Sequence, residues 1–194
     1  KYDTKVILST RHAQEQINKK KFKSILIKKN INIDVVSNIN KDKKFLSYLK
    51  KNKNLTVLCV GPSWIFDNQI LKYLKNRIFN INCIPLPKYL GGAHFTWQIL
   101  NNSLDCGIYL QQITNKIDKG VVLIGQRFKL KVKNPKPLDY FKIYETKIIK
   151  FLIYLEDGFT KSKKIKTKSY ENFFINREYY PRLNTKLNGV IDWS

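Results

Sequence analysis

The sequence contains few cysteines, few arginines and no long apolar run. Its three cysteines, Cys59, Cys83 and Cys106, are an odd number spaced far apart in apolar segments, which favours reduced core thiols over disulfides or a metal site. No stretch of about 18 apolar residues is present to span a membrane, and the first residues do not resemble an export signal. We therefore expect no metal, no membrane partner and a cytoplasmic location.

The chain carries a formal net charge of +23, from 37 basic and 14 acidic residues. Most of the basic residues are lysine, and only five are arginine. A surface that reads bases favours arginine, because its planar guanidinium forms paired hydrogen bonds with base edges. We interpret most of the charge as a solvated lysine surface, and attraction of an anionic small molecule or of tRNA is the alternative.

Short apolar runs alternate with helical patterns in the first part of the chain. Strands are predicted at 5–9, 31–36, 55–60 and 79–82, a loop at 10–12, and helices at 14–29, 42–51 and 67–77. The near-continuous apolar run at 55–60 is typical of a parallel strand covered on both faces. This alternation predicts an α/β fold with a doubly wound, mostly parallel sheet.

The second half continues the pattern with longer elements. It predicts a short helix at 96–102, strands at 108–113 and 121–132 that pair antiparallel across a tight turn, and a long helix at 138–156. Pro135 and Pro137 mark the start of the long helix, and Asp157 with Gly158 marks its end. We expect residues 1–160 to form one domain and residues 161–194 to form an extended segment packed on it.

A polar pair interrupts the apolar pattern where the fourth predicted strand ends. Asn80 and Asn82 are alternate residues, so both side chains are expected to face one pocket. A lone carboxylate, Asp118, lies in the turn between the two later strands. Two amides and one acid that meet at a strand end form a plausible site for a carbonyl or amine substrate.

The loop after the asparagines is shaped by its prolines and glycines. Pro85 and Pro87 fix the backbone and remove donors, which predicts a rigid, extended loop. Gly91 and Gly92 allow a tight turn into a helix that begins near His94. This turn therefore brings a histidine next to the predicted site.

Three further residues allow two interpretations each. Arg11 and His12 follow the first predicted strand and either hold a carboxylate or phosphate of a ligand or fasten the loop, and we favour the second. Trp64 lies just beyond a strand end, where α/β sheets bind ligands, and either stacks on a flat heterocycle or packs under a loop.

The order of these motifs resembles the formyltransferases that use formyl-tetrahydrofolate and act on methionyl-tRNA, glycinamide ribonucleotide or amino sugars. The family's Asn-x-His strand end, Leu-Pro pair, Gly-rich turn and Asp-x-Gly loop correspond here to Asn80-Ile81-Asn82, Leu86-Pro87, Gly91-Gly92 and Asp118-Lys119-Gly120. Residues 9–12, 180–184 and 189–194 also resemble family segments, so the resemblance extends over nearly the whole chain.

The resemblance implies that a formyl group passes from formyl-tetrahydrofolate, as co-substrate, to a primary amine. It implies catalytic roles for Asn80, Asn82 and Asp118, with Asn80 stabilising the oxyanion. The remaining site residues are Trp64, Pro85, Leu86, Ile117 and Gly120 against the folate, and Arg11, His12, Gly91 and Gly92 against the amine substrate.

Asn82 occupies the position of the family's histidine, and an asparagine cannot act as a base. Asn82 is then a second donor or a substrate contact, and the amine's proton goes to Asp118, to water or to His94. The turn that leads to His94 resembles sugar-type members, so a nucleotide-linked amino sugar is the expected acceptor. Methionyl-tRNA as acceptor and a catalytically degenerate binding protein are the alternatives, and a homodimer is compatible with the sequence.

In the family, the first strand and helix form the middle of the sheet, and this sequence, which begins at Lys1, has no counterpart of them. A sheet that lacks its central strand would expose two edges. We therefore expect the natural chain to extend upstream of Lys1, and also beyond Ser194.

Overall fold

The computed structural model describes residues 4–91, 94–160 and 178–181. They belong to two compact units, one formed by Lys1–Thr56 with Pro62–Lys75 and the other by Val57–Gly61 with Asn76–Ser194.

The first unit contains a parallel pair of strands, β1 (Val6–Ser9) and β4 (Ile33–Val36), with the hairpin β2 (Gln16–Ile17) and β3 (Lys20–Lys21) between them in sequence. Its helices are α1 (Thr10–Gln14), α2 (Phe22–Lys28), α3 (Lys43–Lys51) and α4 (Asn68–Leu74). Leu8, Ala13 and Leu26 form a buried apolar cluster beneath the strands. The two strands predicted for this part of the chain are confirmed.

Aspartates cap α3 and α4, which begin one residue after the helix starts predicted at 42 and 67. The Asp42 carboxylate accepts the Phe45 N–H at 2.7 Å, and the Asp67 carboxylate accepts the Ile70 N–H at 3.0 Å. Helix α4 is shorter than predicted, because Lys75 takes a left-handed φ of 46° that ends the helix.

The structure differs from the sequence prediction between residues 10 and 29. The predicted loop at 10–12 is the start of α1, because the Ser9 hydroxyl accepts the His12 N–H and caps a helical turn. The predicted helix at 14–29 begins only at α2. Asn18 and Lys19 both have positive φ, and such a pair forms the two-residue turn of the β2–β3 hairpin.

The second unit is organised around a four-stranded sheet and one long helix. In chain order its elements are β5 (Val57–Val60), β6 (Ile78–Asn82), β7 (Leu90–Gly91), α5 (His94–Leu100), β8 (Asp105–Gln112), β9 (Val122–Lys129), α6 (Pro137–Thr160) and β10 (Tyr179–Tyr180). The sheet order is β5-β6-β8-β9. Strands β5 and β6 are parallel, whereas β8 pairs antiparallel with both β6 and β9. The α/β class is confirmed, and so is the antiparallel pairing across the turn that contains Asp118.

Strand β5 is less covered than its apolar sequence predicted. Leu58 and Val60 are 40% and 54% exposed. They lie on the same face of the sheet as Ile81, since Val60 is the register partner of Ile81. The apolar cluster on that face joins Ile81 and strands β8 and β9 to α6 but leaves out Leu58 and Val60. The prediction that both faces of β5 are covered is therefore wrong.

Helix α6 begins at Pro137, as the two prolines predicted, but continues beyond its predicted end. It passes through Asp157 and Gly158 to Thr160. A glycine within a helix costs only about 1 kcal/mol relative to alanine, and burial of Phe151 and Leu155 against the sheet outweighs that cost. Within the described residues, no helix is both long and apolar enough to cross a bilayer.

A short part of the predicted C-terminal segment lies against β7 and α5. Strand β10 pairs parallel with β7, the Lys88 ammonium lies 3.2 Å from the Glu178 carboxylate, and the Trp97 indole N–H donates to the Pro181 carbonyl at 2.9 Å. Other parts of the 161–194 segment, including the family-like residues at 182–184 and 189–194, lie outside the described residues.

The three cysteines are free, as the sequence predicted. Burial raises the pKa of the Cys59 and Cys83 thiols to about 12, so both stay protonated at neutral pH. Cys106 is fully buried in the cluster of Leu130, Tyr140 and Tyr144.

Tyr144 joins α6 to the middle of the sheet. Its hydroxyl accepts the buried Gly107 N–H of β8 at 3.1 Å. Burial raises the pKa of Tyr144, so the hydroxyl stays neutral. The contact satisfies a main-chain donor that would otherwise be buried without a partner.

Tyr144→Phe is expected to lower the free energy of unfolding by about 1–3 kcal/mol, the cost of leaving a buried donor unpaired. Urea unfolding measures the change. Tyr154→Phe is the matched control, because it makes the same substitution on the same helix at a side chain that is 49% exposed. If both variants unfold like the wild type, the assigned role of the Tyr144 hydroxyl is wrong.

Candidate functional site

The candidate site lies at the end of β6, on the sheet face opposite α6. Ile81 points into the apolar cluster beneath α6, so its neighbours Asn80 and Asn82 point to the other face. On the adjacent strand β8, Gln111 is the register partner of Asn80 and shares that face. Alternation on two neighbouring strands therefore gathers three side-chain amides.

Asn82 contacts both Gln111 and Asp118. It is 8% exposed, and its amide nitrogen Nδ2 lies 3.0 Å from Gln111 Oε1 and 3.4 Å from Asp118 Oδ1. The structure thus brings together Asn82 and Asp118, which are 36 residues apart in the chain.

Gln111 connects the strand end to the loop that contains Asp118. It is 3% exposed, and its amide nitrogen Nε2 donates to the carbonyls of Asp118 at 3.2 Å and of Gly120 at 3.0 Å. Gln111 is not among the site residues that the sequence predicts. It lies within the predicted strand 108–113 as one of two consecutive glutamines, but the residue that it faces depends on strand register, which the sequence alone does not give.

The loop from β8 to β9 has the conformation that an Asp-x-Gly spacing permits. Asp118 has a φ of 53°, a left-handed value that aspartate tolerates better than most residues. Gly120 runs so close to the main chain of Gln112 that an added Cβ would collide with its carbonyl oxygen. The glycine is therefore required for the loop to return against β8, with Asp118 held above the strand end.

Asn80 offers a buried acceptor. Its side-chain oxygen Oδ1 is shielded from solvent and has no hydrogen-bond partner among the described residues. A buried acceptor without a partner is unfavourable, so this atom fits a ligand that brings an N–H or O–H group.

The predicted folate contacts differ in exposure. Pro85 and Leu86 are buried, and Leu86 packs in an apolar cluster with Tyr109 while its carbonyl accepts from the Arg127 guanidinium. Ile117, next to Asp118, is 62% exposed and presents an apolar surface beside the site. Their roles toward a ligand remain predictions.

The glycine turn is only partly described. Gly91 has a φ of 101°, and an added Cβ would collide with the Tyr180 carbonyl, so β10 explains the glycine at this position. Gly92 lies outside the described residues. His94 is the first residue of α5, as predicted, but its side chain is outside the description.

Arg11 and His12 belong to the first unit, where both ring nitrogens of His12 form hydrogen bonds. Its Nδ1 lies 3.0 Å from the Ser9 hydroxyl and 3.5 Å from the Ser63 hydroxyl, and its Nε2 lies 2.7 Å from the Arg11 guanidinium. The two residues therefore fasten the turn after β1. A ligand contact for them stays a prediction.

Trp64 is also in the first unit. Its indole N–H donates to the Ser37 carbonyl at 3.0 Å, and the side chain is half-buried. This bond fixes the orientation of the indole ring. Stacking of the ring on a ligand stays a prediction. Among the described residues, no group of three acidic, histidine or cysteine side chains is placed to hold a metal ion.

Relatives of the chain include methionyl-tRNA formyltransferases. No family model matches the sequence. It is 28% identical over 187 residues to the bifunctional polymyxin resistance protein ArnA of Wigglesworthia glossinidia brevipalpis, which covers 94% of this chain and 27% of ArnA. It is 30% identical over 118 residues to methionyl-tRNA formyltransferase of Finegoldia magna, which covers 58% of this chain and 38% of that protein. The chain thus spans less than half the length of either relative.

The fold has a counterpart among solved structures. The N-formyltransferase from Helicobacter canadensis, solved in complex with folinic acid and dTDP-3-aminofucose, matches with a TM-score of 0.70 at 18% identity. The match covers 97% of this chain and 64% of that chain. The expected formyltransferase fold is therefore confirmed.

Gly120→Ala is expected to lower the free energy of unfolding by about 1–3 kcal/mol, because the new methyl group must push the loop away from Gln112. Urea unfolding of the full chain measures the loss. Lys119→Ala, at the exposed neighbouring position, should stay within about 0.5 kcal/mol of the wild type. Wild-type stability in Gly120→Ala would contradict the tight packing assigned to this loop.

Proposed function

We propose that this chain, a homologue of methionyl-tRNA formyltransferases and ArnA with the fold of an N-formyltransferase, transfers a formyl group from formyl-tetrahydrofolate to a primary amine. The observation that carries the proposal is the contact between Asn82 and Asp118 at the end of β6, beside the unpartnered oxygen of Asn80.

The reaction makes two demands on the protein. The attacking amine must lose a proton, and the oxygen of the formyl group needs a donor as negative charge develops on it. Formyl-tetrahydrofolate, when bound, supplies the formyl group, which leaves a folate nitrogen for the acceptor nitrogen. The side chains at the end of β6 have to meet both demands.

Asp118 meets the first demand. It is the carboxylate that contacts Asn82 at the strand end, and a carboxylate accepts a proton whereas an amide does not. We assign the amine's proton to Asp118. His94 remains the other candidate, since it opens α5, which follows the glycine turn.

Asn80 is the residue that we assign to the second demand, through its amide N–H₂ group. The site also fits the folate co-substrate in two respects. The buried Asn80 oxygen needs a donor, which the N–H groups of a pterin ring supply, and exposed Ile117 offers an apolar surface. Trp64, Pro85 and Leu86 stay predicted folate contacts.

The acceptor that we propose is an amino sugar linked to a nucleotide. Support comes from the structural neighbour, whose complex contains dTDP-3-aminofucose, and from the net charge of +23, which attracts a nucleotide's phosphates. Methionyl-tRNA is a second candidate, because the relatives include methionyl-tRNA formyltransferases and the same charge favours RNA. A degenerate binding protein is a third, because Asn82 stands where the family has histidine.

A turnover assay with the full chain tests the proposal. Formyl-tetrahydrofolate is combined with a panel of nucleotide-linked amino sugars and with methionyl-tRNA, and released tetrahydrofolate is followed. We expect release with an amino sugar, and a decrease of about 10²- to 10⁴-fold in Asp118→Asn, the usual effect of removing a general base. Asp105→Asn, at a carboxylate whose side chain is 61% exposed, is the matched control and should keep wild-type activity.

Each outcome of the panel assigns one function. Release only with methionyl-tRNA, with activity that falls steeply as salt rises, would replace the amino sugar by tRNA. Binding of folinic acid without release for any acceptor would identify a binding protein. Release that is equal in the wild type and in Asp118→Asn would refute the role of the carboxylate.

A further inference from the structure

We infer that Gln111 is a positioning residue, which turns the Asn82 side chain so that its carbonyl oxygen, and not its amide nitrogen, meets the acceptor amine. The inference rests on the proposed function, because it assigns the amine's contact at the same site. It follows from the hydrogen-bond donors and acceptors around Gln111.

Two main-chain carbonyls fix the orientation of the Gln111 side-chain amide. The main-chain carbonyls of Asp118 and Gly120 lie 3.2 and 3.0 Å from one end of its side chain. A carbonyl only accepts, so the end of Gln111 that faces them must be the N–H₂ group. Both of its hydrogens are used there. The usual ambiguity between amide oxygen and nitrogen is therefore removed for this residue.

The orientation of Gln111 determines the orientation of the Asn82 side-chain amide. With its nitrogen on the loop, Gln111 presents its oxygen Oε1 to Asn82 at 3.0 Å. An oxygen facing an oxygen would repel, so Asn82 must turn its nitrogen Nδ2 toward Gln111. The second hydrogen of Nδ2 is directed to Asp118 Oδ1 at 3.4 Å, which is also an acceptor. Both hydrogens of Asn82 are thus occupied within the protein.

The side-chain oxygen of Asn82 is then available to a ligand. Among the described residues, no donor contacts its oxygen Oδ1, and this atom can only accept. In this orientation Asn82 does not stabilise the oxyanion, so of its two predicted roles, second donor or substrate contact, we select the second. A primary amine has two N–H bonds, and when Asn82 Oδ1 accepts one and Asp118 accepts the other, the nitrogen lone pair stays available for attack.

The burial of Gln111 makes this arrangement rigid. The side chain is 3% exposed, and each of its hydrogen-bonding groups has a partner. Rotation of the Gln111 amide would place its oxygen against two carbonyl oxygens and its nitrogen against the Asn82 nitrogen. In a dry environment such unpaired contacts are costly, so only one orientation is stable.

The variant Gln111→Glu tests the inference, because it keeps the shape and replaces the donor end by a carboxylate. Its matched control is Gln126→Glu, the same change at an exposed position of the adjacent strand β9. Two readouts are measured on the full chain: NMR titration of the introduced carboxyl without ligands, and kcat and KM for both substrates as a function of pH.

The NMR titration does not require the protein to be enzymatically active. At position 111 the new carboxyl faces two carbonyl oxygens, so we expect it to titrate at least about one pH unit above the ordinary value of about 4.3, whereas the control titrates near that value. An ordinary value at position 111 would overturn the assigned contacts of Gln111. This readout decides on the orientation even if the wild type releases no tetrahydrofolate, an outcome that would instead refute the proposed function and the amine contact with it.

The kinetic readout separates positioning from general damage. At pH values above the pKa of the new carboxyl, we expect kcat/KM for the amine to fall at least about tenfold, with KM for formyl-tetrahydrofolate little changed. At pH values below that pKa, activity should recover relative to the wild type, because the O–H of the protonated acid again donates to the loop. A pH profile parallel to the wild type, or equal losses for both substrates at every pH, would refute a positioning role.

A second variant keeps the inference testable if Gln111→Glu does not fold. Asn82→Ala removes the accepting oxygen but leaves the bonds from Gln111 to the loop in place. We expect kcat/KM for the amine to fall at least about tenfold while binding of folinic acid, measured by calorimetry, changes little. Unchanged kinetics for the amine would show that the oxygen of Asn82 does not contact it.

Discussion

The hydrogen bonds of Gln111 are the interaction on which the candidate site depends. One side chain bonds a strand end through Asn82 and a loop through the carbonyls of Asp118 and Gly120. The strand and the loop come from distant parts of the chain, and their relative position decides whether the amides and the acid act on one substrate. Because Gln111 is buried and fully bonded, the site is set before any ligand arrives.

The fold supports this arrangement through the alternation of strand residues. On β6, Ile81 is held in the apolar cluster beneath α6, which directs Asn80 and Asn82 to the opposite face. On β8, Leu110 is held in the same cluster and Gln111 in the site. Burial of apolar surface on one face thus determines which polar groups meet on the other, and core packing and function share the same two strands.

Local chemistry could be predicted from the sequence, and pairings between distant residues could not. Aspartate caps, the strand-end asparagines and the turn at Asp118 follow from a few neighbouring residues each. Gln111 was missed because its partner depends on the register between β6 and β8, which no local pattern encodes. The predicted helix at 14–29 is confirmed only at α2, because the lysines and apolar residues before α2 suit both a helix and the hairpin that the Asn18–Lys19 turn forms.

A crystal structure of the full chain with folinic acid and a dTDP-linked amino sugar tests the central claim most directly. The account predicts that the Asn82 nitrogen keeps its contacts to Gln111 and Asp118, and that the sugar's amine lies within hydrogen-bond distance of the Asn82 oxygen and of the Asp118 carboxylate. An Asn82 nitrogen turned toward the formyl oxygen, or a Gln111 side chain released from the loop that contains Asp118, would contradict it.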